Sequence, residues 1–207
     1  YNWRQLRITT KEVDGMLDRC PSLARLTPVL EMSTSVQYGE TFKQAVSVQA
    51  VGTSWRDIED RAIMQRRPFS SIDGEQRLQV CIINDKAIGE FQLDTNCVGT
   101  RLLIGGRTFT VVGVVETKTV SPMFGGDEAR TEVFIPFQTG LMLRPEPRMY
   151  IVAQTSAPEK YEDAKAEVEF YLRRMRSLKP DDPSTFGIEA IEQVIEQVRK
   201  IGVFLTI

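Results

Sequence analysis

The sequence predicts an α+β fold: a discontinuous ferredoxin-like βαβ-βαβ subdomain, formed by both ends of the chain, with a small β-rich subdomain inserted between its halves. Three observations lead there. Residues 1–51 read as strand, helix and hairpin, residues 149–190 read as strand, long helix and strand, and the stretch between them is dense in short apolar runs and turn residues.

Residues 2–8 read as a short strand. Thr9, followed three residues later by Glu12, offers a capping box, after which Val13, Met16, Leu17 and Cys20 recur at helical spacing. Pro21 and Pro28 punctuate the exit. Leu30, Met32, Thr34 and Val36 then alternate as a strand does, Gln37, Tyr38, Gly39 and Glu40 make the turn, and Phe42, Val46, Val48 and Val51 lie on the returning strand. Near the other end, residues 149–154 form a strand. Residues 158–178 form a long helix with Tyr161, Ala164, Val168, Tyr171 and Leu172 on one face, and 186–190 are extended.

These readings place the ferredoxin-like subdomain in residues 1–65 plus 146–190 and the insert in 66–145. The remainder, 191–207, is expected to be a helix, because Ile191, Val194, Ile195, Val198, Ile201 and Leu205 are spaced three or four apart. Glu192, Glu196, Arg199 and Lys200 fall on its other side. Ile195, Val198 and Ile201 are the candidate stalk or dimer face.

Inside the insert, 78–83 is a near-continuous apolar strand and 85–91 a short helix. Residues 101–104 pair across Gly105-Gly106 with 109–115. Residues 117–130 contain Pro122, Gly125 and Gly126 and show no period, so they read as an exposed loop. Its tip, Met123, Phe124 and Gly125, is the candidate contact loop.

Composition excludes several functions. Twenty-six basic and 28 acidic residues leave a net charge of -2, which supplies no general attraction to nucleic acid. There is no histidine, which removes the usual general base, the commonest zinc ligand and every Ser-His or Cys-His arrangement. Cys20, Cys81 and Cys97 are too widely spaced for a metal motif. The chain opens without Met and ends on the apolar run 203–207, so a longer parent with adjoining membrane segments is expected.

Each remaining polar cluster has a plain structural reading. Gly105-Gly106 and Gly125-Gly126 lack the Lys-Ser/Thr of a phosphate loop and read as turn glycines. Asp57, Glu59 and Asp60 lie beside Arg56 and Arg61 and read as a solvated, salt-bridged surface. Asp181 and Asp182 stand between Pro180 and Pro183 as turn residues, and Arg173, Arg174, Arg176 and Lys179 suit a helix C-terminus. No catalytic, cofactor-binding or metal site is assigned.

The ordered set Val80-Cys81-Ile82-Ile83-Asn84, Phe91, Val98-Gly99, Ile104 to Val114 and Glu132 to Thr139 resembles the MacB-type periplasmic core domain of ABC transporter permeases, a family that includes FtsX-like proteins. Val51-Gly52, Arg67-Pro68-Phe69-Ser70 with Asp73, and Phe186-Gly187-Ile188 extend the resemblance over nearly the whole chain. Arg66, Cys97, Thr100 and Leu93-Asp94 depart from the usual pattern without touching the fold.

The resemblance implies a porter-like role for the ferredoxin-like subdomain and an outer role for the insert. It implies that residues 191–207 form a stalk leading to a transmembrane segment. It also implies an efflux or export permease of the bacterial inner membrane, with this domain periplasmic and transmitting ATP-driven movement. Its partners would be a cognate ATPase domain or subunit, a second permease protomer and a periplasmic adaptor, with no nucleic acid. Two other readings stand beside it: an extracytoplasmic binding or regulatory module that moves no substrate, and a hydrolase built on carboxylates alone.

Overall fold

The computed structural model describes residues 8–118, 129–144, 149–192 and 199–204. In chain order the first elements are α1 (Thr10–Arg19), β1 (Leu23–Tyr38), β2 (Thr41–Val51), α2 (Trp55–Glu59), β3 (Ile63–Arg66), α3 (Ser71–Glu75), β4 (Val80–Asn84) and α4 (Asp85–Glu90). They are followed by β5 (Arg101–Ile104), β6 (Arg107–Val115), β7 (Glu132–Pro136), α5 (Phe137–Leu143), β8 (Met149–Thr155), α6 (Tyr161–Met175), β9 (Gly187–Glu192) and β10 (Arg199–Phe204). The fold is α+β. The chain divides into two compact units, one of Tyr1–Pro28 with Arg148–Ile207 and the other of Val29–Pro147.

In the first unit the strand order is β1-β8-β10-β9, with β1 entering by its first residues. α1 starts as its sequence dictates. The Thr9 hydroxyl accepts from the Glu12 N–H at 3.3 Å, and the Glu12 carboxylate accepts from the Thr9 N–H at 2.7 Å, closing the capping box. Val13 and Met16 of this helix and Cys20, which caps its C-terminus, meet Ile151 and Ala153 of β8 and the expected α6 face of Tyr161, Ala164, Val168, Tyr171 and Leu172, all buried.

Three polar ties fix the two helices around this core. The Tyr171 hydroxyl donates to the Glu12 carbonyl at 2.9 Å, and a Cβ on Gly15 would stand 2.8 Å from that hydroxyl, so glycine is what lets the ring seat. Arg176 donates to the Glu12 carboxylate at 2.7 Å, with both side chains buried and the guanidinium over Phe186. The Glu167 carboxylate accepts from the N–H and hydroxyl of Ser22 at 2.9 and 2.8 Å.

In the second unit the pairings close on themselves: β2-β7-β4-β6-β5-β1, with β1 pairing back to β2. β2 with β7 and β4 with β6 run parallel, the other ring pairings are antiparallel, and β3 adds to the far half of β6. A closed ring leaves no long exposed strand edge. Val36, Val48, Ile82, Ile104, Phe109 and Phe134 are among its fully buried side chains. Each such aliphatic or aromatic side chain contributes about 1.5–3 kcal/mol by burial. Gly105 and Gly106, at φ +57° and +78°, form the tight turn between β5 and β6 that only positive-φ residues make cheaply.

Two features differ from the sequence reading. The units divide at 28/29 and 147/148, whereas the reading places boundaries at 65/66 and 145/146. The β1–β2 hairpin, read as completing the first ferredoxin-like half, is shared out by long-range pairing instead: β2 with β7 and β1 with β5. The expected helix over 191–207 is replaced, where residues are described, by the antiparallel strands β9 and β10. In them Ile201 faces Ala190 and Ala153, and Val203 faces Ile188 and Ile151. β-branched residues fit such a pleated pairing better than a helix interior, and β10 gains hydrogen-bonded neighbours on both sides. The expected strand over residues 2–8 lies outside the described residues, apart from Ile8.

Candidate interaction site

At one end of the strand ring three strand termini meet. β4 finishes at Asn84 beside Val115, the last residue of β6, and β7 begins at Glu132, one residue before the Val133 that faces Ile83. The segment 117–131 leaves and returns there. Asn84, fully buried, serves three neighbours with one amide. Its Oδ1 accepts from the N–H of Ala87, capping α4, and from the N–H of Glu132 at 3.1 Å, while its Nδ2 donates to the Arg130 carbonyl at 2.6 Å. Next in sequence, the Asp85 carboxylate accepts from the N–H of Thr117 at 2.7 Å and from its hydroxyl, and Lys86 donates to the Ala129 carbonyl. The first turn of α4 therefore grips the segment on both sides.

Arg61 closes the grip from below. Its guanidinium binds both oxygens of Glu132 at 2.6 and 3.0 Å and reaches the Glu116 carbonyl at 3.4 Å, so one side chain ties residues before and after the segment. It is only 8% exposed. The guanidinium carbon lies 5.5 Å from the Trp55 ring centre and 5.3 Å from that of Phe134, and the two rings pack 4.2 Å apart. Lys118 donates to the carbonyls of Glu59 and Asp60, and the Ala62 N–H donates to Glu116 Oε1 at 3.0 Å. Asp60, at φ +50°, makes the left-handed stop of α2 that turns the chain toward Arg61.

Such an arrangement holds both ends of the segment 117–131. All three cysteines are free and buried, and burial raises each thiol, Cys20 to about 11 with Glu167 adding to the effect. Among the described residues no three His, Cys, Asp or Glu side chains group as a metal site.

The sequence-predicted contact residues Met123, Phe124 and Gly125 lie outside the described residues, as do Ile195 and Val198, while Ile201 stands on β10. Gly125-Gly126 is likewise undescribed. The acidic cluster resolves into separate roles: Asp57 pairs with Arg56 at 2.9 Å, and Glu59 and Asp60 use their carbonyls for Lys118. Arg61, expected on a solvated surface, is a buried anchor instead, because a carboxylate 71 residues away is brought against it. Asp182 accepts from the Lys179 N–H at 2.7 Å, as a turn residue does. Of the basic helix end, Arg173 donates to the carbonyls of Lys179, Pro180 and Asp182, and Arg176 belongs to Glu12, so two of the four charges secure this unit's own loop.

Arg67 and Asp73, two residues that carried the family resemblance, form a bidentate pair at 2.6 and 3.0 Å, to which Ser70 adds its N–H and hydroxyl. The Arg67 guanidinium holds the Asp73 carboxyl down at about 2. The sequence model of the MacB-like periplasmic core domain matches residues 2–171. The chain belongs to this family. It is 28% identical over 120 residues to the macrolide export ATP-binding/permease protein MacB of Hahella chejuensis, a match covering 58% of this chain and 18% of that protein. The chain thus spans less than a fifth of that relative.

Solved structures agree on the fold of this MacB-like core domain. The periplasmic region of MacB from Actinobacillus actinomycetemcomitans superimposes with a TM-score of 0.71 at 17% identity, covering 84% of this chain and 76% of that one. The extracellular domain of the noncanonic ABC-type transporter YknZ from Gram-positive bacteria gives 0.70 at 16% identity, covering 84% and 87%.

Proposed function

We propose that this chain is the periplasmic domain of an ABC-type export permease, and that it passes ATP-driven movement to a substrate or an adaptor outside the membrane. The observation that carries this reading is the family match across residues 2–171. ATP hydrolysis then takes place in a separate domain or subunit, and the domain works as one of a pair of protomers. In this reading the first unit has the porter-like role, the second meets adaptor or substrate through the segment 117–131, and the residues carrying Ile195, Val198 and Ile201 lead toward the membrane part. A mechanical role needs two arrangements of the paired domains separated by a small free energy, which nucleotide-driven motion biases. It also needs parts that do not yield internally, and Arg61–Glu132 and Arg176–Glu12 give each unit a buried ionic tie.

The test uses the full-length permease in intact cells. A Cys in place of Met123 should react with a membrane-impermeant maleimide. In the purified permease, Arg61→Gln should lower substrate-stimulated ATPase activity about threefold while basal ATPase is kept, the change expected when a positioning contact worth ~0.7 kcal/mol of coupling is lost. A Cys at 123 that labels only after lysis sinks the periplasmic assignment, and full stimulation in folded Arg61→Gln sinks the role of the loop base.

A further inference from the structure

We infer that the outer face of α6 is a self-complementary contact surface for a second copy of this chain. Phe170, at the middle of that face, is 69% exposed, the most exposed large hydrophobic side chain among the described residues. Around it the helix carries opposite charges at its two ends. Glu162 and Asp163 stand in the first turn, Arg173 and Arg174 in the last, and the buried stripe from Tyr161 to Leu172 keeps all four on the outward side.

The spacing is what makes the face self-complementary. A two-fold axis perpendicular to a helix sets residues at equal distances from its crossing point opposite one another. With that point on the outer face level with Val168 along the helix axis, Phe170 of one copy meets Ala166 of the other, a small residue one turn earlier that leaves the hollow a ring requires. The same reversal sets the Glu162-Asp163 turn against the Arg173-Arg174 turn, twice by symmetry. Helical twist at about 100° per residue puts Asp163 and Arg174 on one flank of Phe170, and Glu162 and Arg173 on the other. Each acid therefore faces a base on its own side. A parallel pairing would set like charges together.

Side chains on this face have charge to spare. The side chains of Glu162 and Arg174 make no hydrogen bond or ion pair among the described residues, and that of Asp163 has only the exposed contact to Lys160 at 2.9 Å. Arg173 keeps its loop carbonyls, so its contribution is that of a nearby charge. One helix pair buries less than the roughly 1,000 Å² of a stable complex, so the isolated chain should associate weakly. The inference rests on the permease reading only in that membrane segments would hold two copies close, raising their effective concentration to about the millimolar range.

The experiment is sedimentation equilibrium on the 207-residue chain up to about millimolar concentration, with folding of each variant checked by circular dichroism. The wild-type chain should show a monomer–dimer equilibrium that Phe170→Ser weakens by about tenfold or more. Asp163→Arg alone and Arg174→Asp alone should each weaken it severalfold, and the chain carrying both changes should recover, since the pairs are then re-formed with reversed sign. A monomer at every concentration, a dimer indifferent to Phe170→Ser, or single charge variants without recovery in the double would each overturn the inference. Failure here leaves the labelling result at position 123 untouched, so the two readings fail separately.

Discussion

Arg61 shows how much one side chain can govern. Its charge is out of water, and what makes that tolerable is the bidentate contact to Glu132 together with the faces of Trp55 and Phe134. Arg61→Ala leaves the Glu132 carboxylate unpaired in a mostly buried site and should cost about 3–5 kcal/mol in urea unfolding, whereas Arg61→Met with Glu132→Leu should recover most of that loss. Nothing near Arg61 in sequence announces this, because its neighbours Asp57, Glu59 and Asp60 offer nearer and more obvious partners. Asp73 closes a capping box with Ser70, three residues before it. Its carboxyl is held at about 2, below the ordinary value of 3.8. A depressed carboxyl contributes stability that is present above its unfolded value and lost as pH falls through the folded one. Asp73→Asn should therefore destabilise by about 1–2 kcal/mol at neutral pH, allowing for the half-exposed Arg67, and by little at pH 2. Unfolding midpoints across that range check the sign; a penalty independent of pH would mean that packing, and not charge, is lost.

At the scale of elements, what the sequence announces depends on how local the cause is. The α1 capping box, the five-residue apolar face of α6, the glycine turn at 105–106 and the strands β4 and β6 are all readable, because each is specified by neighbours a few residues apart. β10 is not, since the spacing of Ile195, Val198 and Ile201 satisfies a helix, while the ladder with β8 that decides the outcome joins residues some fifty positions apart. Gly140 is a further element-scale determinant without a sequence signal. A Cβ there would come within 2.2 Å of the Ala50 Cβ, so α5 can lie against β2 only if position 140 carries no side chain. Gly140→Ala gains helix propensity yet should destabilise by about 1–3 kcal/mol through overpacking. The same substitution at Gly89, where a Cβ meets nothing within 4 Å, should be neutral or stabilising. Thermal unfolding of the two variants separates close packing from propensity.

For the whole molecule, the division into units turns on where long-range pairing begins. The hydrophobic pattern locates the strands but not which strand lies beside which, and that is why the inserted unit is larger in the structure than in the sequence reading. β1 and β2, adjacent in sequence, would serve either unit as a hairpin; pairing with β5 and β7 commits them to the ring. A ring that closes within Val29–Pro147 carries its own core, satisfies its own strand edges and contains both ends of the Arg61 clamp. The other unit is assembled from two segments and has no such independence: α1 and α6 share one core, and Glu12 and Arg176 tie it across the chain. A chain of residues 29–147 alone should accordingly fold cooperatively, with dispersed amide resonances and a single urea transition. Residues 148–207 alone should remain unfolded until residues 1–28 are supplied. Loss of structure in the isolated 29–147 chain would mean that the ring's own core and its Arg61 clamp are not enough to hold it folded.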